Sequence, residues 1–167
     1  LYAPTRGEVR VDGVNLAHLS LDGYRAEIAT VMQEDRLLSG SILDNVTFFD
    51  AKPDIERMRQ CLAAAAVLDE IEDMPMGFQT LVGDMGTSLS SGQAQRVLIA
   101  RALYKEPRLI VMDEATSHLD ESNQARVRSA LAKSGITRIA ITHRPGFLNP
   151  DDRVFALEQG RLASAGE

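Results

Sequence analysis

The 167 residues carry a net charge of −6, 44% hydrophobic residues and one cysteine, enough chain for one domain with a core of its own and too little for two. The acidic balance argues against a general nucleic-acid binder, whose footprint is a basic face, and no apolar run approaches the roughly 20 residues of a membrane-spanning helix. Cys61 has no second cysteine to pair with, and within "MRQCLAAAAVL" it sits in a helical apolar pattern, so it reads as a buried thiol rather than a nucleophile.

In chain order, "GEVRVDGVNL" alternates Val9, Val11 and Val14 with polar residues around Asp12-Gly13, which predicts a marginal antiparallel hairpin. "EIATVMQ" predicts a strand that ends on Gln33. From "SGSILDNVTFF" to about Glu72 the pattern is helical, and Pro53-Asp54 marks a helix start before "IERMRQCLAAAAVLDEI". "MPMGFQTLVGDMG", with its glycines and Pro75, predicts loop. "SLSSGQAQRVLIARALYKEP" passes from small polar residues into a helix that Pro107 follows closely. In "RLIVMDEATSHLD" a short apolar run, bracketed by Pro107 and two acids, predicts an inner strand of a parallel sheet. A short helix from about Ser122 to Lys133, a strand "TRIAITH" ending on His143, and a hairpin in "RVFALEQGRLASAG" turning at Gln159-Gly160 complete the chain. The alternation predicts the α/β class with a mainly parallel sheet.

Three candidate strands thus end on Gln33, on Asp113 with Glu114, and on His143. Ligands of parallel sheets lie beyond the carboxyl ends of the strands. Each residue alone reads as a solvated strand end; an amide, two acids and an imidazole converging on one edge read as a site. "LSSGQ", Leu89 to Gln93, sets two hydroxyls and a glycine at a helix start, where free amides and the helix dipole favour phosphate. In isolation the serines would be ordinary N-caps. Their position ahead of the Asp113 strand and "SHLD" is what gives them weight.

On these residues the chain resembles the nucleotide-binding domain of an ATP-binding cassette (ABC) transporter, of exporter type. "LSSGQAQR" is similar to the signature motif, "LIVMDE" to Walker B, "SHLD" to the D-loop, Gln33 to the Q-loop glutamine and His143 to the switch histidine. The resemblance implies a P-loop NTPase-like core with an inserted helical subdomain over 34–105, containing the X-loop and signature, and a Walker B, D-loop and switch-histidine part over 106–167. It implies ATP and Mg²⁺ as cofactors. It also implies a second nucleotide-binding domain as a head-to-tail partner, transmembrane domains of the same transporter, and a place on the cytoplasmic face of the plasma (bacterial inner) membrane. Under it, Ser90, Ser91, Gly92 and Gln93 contact the nucleotide held by the partner domain, and Asp120 couples the two sites. Asp113 holds Mg²⁺, Glu114 polarises the attacking water, His143 stabilises the γ-phosphate, and Gln33 senses metal and water.

Several features depart from the family pattern or refine it. Ser91 stands where the commonest signature has glycine, and His118 replaces a frequent alanine; His118 and His18 read as surface residues. The only lysines, Lys52, Lys105 and Lys133, follow Ala51, Tyr104 and Ala132, so none belongs to a G-x-x-x-x-G-K-[ST] loop. The resemblance therefore implies a chain that begins just downstream of its P-loop. "TLVGDMG", Thr80 to Gly86, is similar to the exporter X-loop, and "MQEDRLLSGSILDNV" with "LYKEPRLIVMDEATSHLD" to bacterial exporters of bacteriocin-like peptides that carry a peptidase domain. Two expectations follow: the ATPase motor of an exporter, or a non-catalytic cassette module that lends only its signature face to a partner.

Overall fold

The computed structural model describes residues 4–83 and 89–164. Two-residue strands β1 (Arg10–Val11) and β2 (Val14–Asn15) pair antiparallel. The turn between them puts Asp12 and Gly13 at φ 49° and 80°, the left-handed pair that a tight hairpin of this hand requires. Helix α1 (Leu21–Ala26), capped by Ser20, leads into β3 (Ile28–Val31).

A helical layer comes next. Strand β4 (Gly40–Ser41) runs into α2 (Ile42–Thr47), followed by α3 (Ile55–Ala64) and α4 (Leu68–Glu72). Ser41 and Asp44 form a reciprocal capping box at the start of α2, and Phe48 in the left-handed conformation ends it. Asp54 caps α3, as the Pro53-Asp54 pair predicted. The expected loop "MPMGFQTLVGDMG" is not wholly loop: β5 (Leu81–Val82) pairs antiparallel with β4. Gly83 fits against this pair only because it has no side chain, since a Cβ there would lie 2.8 Å from Ser39 Cα. Residues 84–86, the end of the X-loop stretch, lie outside the described residues.

Helix α5 (Ser91–Tyr104) is buried on almost every side from Gln95 to Tyr104, so it is the central rod of the molecule rather than an amphipathic surface helix. It packs against α2, α3 and β3. Then follow β6 (Leu109–Asp113), α6 (Glu121–Lys133), β7 (Thr137–Ile141), and a closing hairpin of β8 (Phe155–Glu158) and β9 (Arg161–Ser164) that turns at Gln159-Gly160.

Strands β3, β6 and β7 form a parallel sheet in the order β3-β6-β7, with Val31, Met112 and Ala140 side by side near its end. Successive side chains alternate faces. Ala29, Val31, Ile110 and Met112 are buried on the side that meets α5, and join the core with Val97, Ile99, Leu62 and Met58. The opposite side carries Thr30, Val111, Ile139 and Ile141, of which Ile139 and Ile141 are more than half exposed. One face of the parallel sheet is thus covered and the other open.

Candidate functional site

The register that aligns Val31, Met112 and Ala140 makes the three strands end together. Asp113, half-buried, makes the last rung with Ile141. Glu114 follows in a left-handed conformation, φ 49°, unusual for a residue with a Cβ. Its N–H donates to Ile141 O at 3.0 Å, and its carbonyl accepts from Ser117 N–H at 3.0 Å and from Gln95 Nε2 at 3.1 Å. So held, the Glu114 side chain brings Oε1 within 3.2 Å of Nε2 of His143. The imidazole is 85% exposed and the carboxylate 26%.

Gln33 reaches the same edge but not in the way the sequence suggested. Strand β3 stops at Val31, two residues earlier, because Asp35 folds the chain back: its carboxylate accepts Met32 N–H at 2.9 Å and its own N–H donates to Met32 O at 3.1 Å. Gln33 is therefore an exposed turn residue, and among the described residues no hydrogen bond joins it to Glu114 or His143.

At the start of α5, Ser90 Oγ accepts Gln93 N–H at 3.1 Å while Gln93 Oε1 accepts Ser90 N–H at 3.0 Å. The other end of the Gln93 amide donates to Glu70 Oε2 at 3.0 Å. Arg96, 5% exposed, forms a bidentate pair with Glu70 and also donates to the carbonyls of Ala66 and Gly92. The Arg96 hydrogen bond, with help from Gln93, holds the Glu70 carboxyl below the usual glutamate range. Ser91 is exposed. Gly92 lies against the turn after β6, where a Cβ would come 3.0 Å from His118 O.

Asp120 caps α6: its two oxygens accept Asn123 N–H at 2.9 Å and Asn123 Nδ2 at 2.7 Å, and these bonds lower its pKa. Just before it, Leu119 O accepts Arg144 Nη1 at 2.8 Å, tying the residue after His143 to the "SHLD" turn. The structure thus joins Glu114 with His143, sets Asp113 beside them, and places Ser90 to Gln93 and Asp120 on two capped helix starts. Gln95, Arg96, Glu70 and Arg144 were not singled out from the sequence. Gln95 and Arg96 left one signal there, a polar pair at the mouth of an apolar helix.

A cavity of about 610 Å³ lies at the other end of the sheet among Val11, Tyr24, Ile28, Leu109 and Thr137, where the strands begin. Lys105 is at that end too, with Nζ 3.2 Å from Ile28 O. Neither bears on the Glu114–His143 edge.

A capped helix start beside a parallel sheet whose outer end bears an acid–imidazole pair is the layout of an α/β domain with its candidate site beyond the strand ends. The sequence pattern of the ABC transporter family matches residues 1–117, and the chain belongs to that family. It is 45% identical to the probable microcin-H47 secretion/processing ATP-binding protein MchF of Escherichia coli, over 94% of this chain and 22% of that protein. It is 38% identical to the ATP-dependent lipid A-core flippase of Alkalilimnicola ehrlichii, over 99% of this chain and 28% of the flippase. The solved structure of a bacterial Atm1-family ABC exporter with ATP bound matches 97% of the chain with a TM-score of 0.89 and 34% identity. The chain spans 29% of that exporter and about a quarter of the length of the two sequence relatives.

Proposed function

We propose that this chain is part of the ATP-hydrolysing motor of an ABC exporter, and that the complete protein couples hydrolysis to export across a membrane. The observation that carries the reading is the pair formed by Glu114 Oε1 and His143 Nε2, 3.2 Å apart beyond the ends of a parallel sheet, with Asp113 on the adjoining rung. Glu114 takes the role of the base that polarises water. His143, held at hydrogen-bonding distance, orients that carboxylate in the free protein and turns the same N–H to developing negative charge once nucleotide is bound. Bound Mg-ATP supplies the phosphoryl group and the charge to be neutralised, so the protein's part is positioning and electrostatics.

The residues present fit this cofactor in part. Asp113 and Glu114 offer the hard oxygens that Mg²⁺ prefers. Among the described residues no cluster of three or more His, Cys, Asp or Glu side chains is arranged to hold a metal. None of the three lysines lies in a phosphate-cradling loop. The open face of the sheet, with Ile139 and Ile141 exposed, supports the same point, because parallel sheets bury both faces. A P-loop and its helix supplied by the complete protein would meet both needs.

Ser90, Ser91, Gly92 and Gln93 are assigned to the face that meets the nucleotide of a second nucleotide-binding domain, head to tail, with Asp120 coupling the sites. Gln33 is assigned to sensing metal and water from its exposed turn. Residues 34–105 form the helical subdomain in this reading and 106–167 the Walker B part of the core. Around the β4–β5 pair Leu38, Phe48, Phe49 and Leu81 are exposed, which supports docking of this subdomain on transmembrane domains at the cytoplasmic face of the bacterial inner membrane. Peptide export is supported by the likeness to MchF and by 43% identity to the colicin V secretion/processing ATP-binding protein CvaB of Escherichia coli. The alternative of a non-catalytic module finds no support in these relatives.

The test is Glu114→Gln in the complete transporter. Removing the carboxylate while keeping its shape should lower turnover by ~10²-fold or more with ATP binding retained, read as steady-state phosphate release beside nucleotide titration. Unchanged turnover would remove Glu114 from catalysis, and absence of ATP turnover in the parent transporter would remove the motor assignment.

A further inference from the structure

Gln95 is more than nine-tenths buried at the second turn of α5, and nearly all of its amide is spent on one short segment. Nε2 donates to Glu114 O at 3.1 Å and to Ser117 Oγ at 3.3 Å, while Oε1 accepts His118 N–H at 3.0 Å. The His118 bond sets the orientation of the amide, so the NH₂ must face the Glu114 carbonyl. Only glutamine satisfies both ends, since a glutamate here would place an oxygen against that carbonyl.

The residue so gripped is one whose backbone needs holding. Glu114 is left-handed at φ 49°, a conformation that a side chain with a Cβ keeps only where its surroundings hold it. Its N–H is fixed by β7 through Ile141 O, and its carbonyl by Ser117 N–H within the turn and by Gln95 from α5. Rotation about either bond would swing the carboxylate away from His143. The same turn touches α5 a second time, through Gly92 against His118 O.

Resting on the motor reading above, we propose that Gln95 is a positioning residue for hydrolysis. It holds the Glu114 carboxylate opposite His143 and ties that placement to the seating of the first turns of α5, where Ser90 to Gln93 lie. A shift at the helix start is thereby transmitted to the carboxylate through one buried amide.

The experiment uses the complete transporter with Gln95→Met, which keeps length and apolar packing, and Gln95→Glu, which keeps the acceptor for His118 and loses the donor to Glu114. Each is made alone and with Glu114→Gln, and kcat and KM for ATP are measured. Each single variant should lose about tenfold in kcat with KM within about twofold, because the defect lies in placement of one group and not in ATP affinity. In the Glu114→Gln background single-turnover rates should fall no further, since the group being positioned is already gone. Either variant with normal kcat, or with a loss that multiplies in the Glu114→Gln background, would overturn the proposal. A wild-type transporter without ATPase activity would instead overturn the motor reading.

Discussion

The start of α5 and the outer edge of the parallel sheet are two neighbouring polar regions of the molecule, and they are built on opposite plans. At α5 the polar groups close on one another: Ser90 with Gln93, Gln93 with Glu70, and Glu70 with a buried Arg96 that also satisfies two carbonyls. At the edge the side chains face outward: Gln33 is exposed, His143 is 85% exposed, and its contact with Glu114 joins two side chains on an otherwise open rim. A closed network is rigid before anything binds, whereas an open rim leaves coordination free for a ligand and for parts supplied from elsewhere. The helix start is thus preorganised, and the rim keeps its side chains open to solvent.

The sharpest way to break this comparison is at Gly92. In the complete protein carrying Glu114→Gln, which should trap an ATP-bound dimer, Gly92→Asp should abolish that dimer while leaving monomer binding of ATP nearly intact. A carboxylate there would face phosphate in a partly dehydrated interface. The structure adds a control, because even a Cβ at this position presses on His118 O at 3.0 Å. Gly92→Ala should cost about 1 kcal/mol of stability from that crowding and still dimerise. Size-exclusion chromatography with ATP reads both, and loss of the dimer in the alanine variant would assign the effect to packing rather than charge.

Next in size is Glu70→Ala, which leaves the guanidinium of Arg96 buried without its carboxylate. Glu70 is half-exposed and two carbonyls remain, so the loss should be roughly 2 kcal/mol rather than that of a fully buried pair. Urea unfolding of the complete nucleotide-binding domain measures it. A change below a few tenths would mean the helix start is no more closed than the rim.

Ser90→Ala removes one half of the capping box and should cost about 1 kcal/mol by the same measurement, with the Glu70–Arg96 pair unaffected. Smallest is an acid effect. Glu70 is depressed in the folded state, so it contributes stability that is present above the ordinary glutamate range and is lost as pH falls through its lowered folded value. Melting temperature followed from about pH 5 to pH 3 should fall less steeply in Glu70→Gln than in the parent protein. Parallel curves would place the acid-sensitive group elsewhere.

The elements were largely legible because their signals are local. Asp12-Gly13 and Gln159-Gly160 mark hairpins through backbone geometry that neighbours alone dictate, Asp54 caps α3, and the apolar runs before Asp113 and His143 are strands. The β4–β5 pair escaped notice since two strands of two residues have no periodicity to detect. Gln33 was read as a strand end because β3 gives no sign of where it stops; the Asp35 side chain decides that.

By itself the sequence determined most of the elements and their order, and that two acids close one strand; Gln33 and His143 each follow another by two residues rather than ending it. What the tertiary structure alone decided is their meeting. The order β3-β6-β7 puts Asp113 at the end of the central strand and Glu114 just after it beside His143, and nothing in the thirty or so intervening residues encodes that neighbourhood locally. The left-handed turn at Glu114 and the buried Gln95 that grips it are likewise invisible to propensity. Their stability comes from hydrogen bonds between segments distant in sequence, which exist only once the chain has closed around its core.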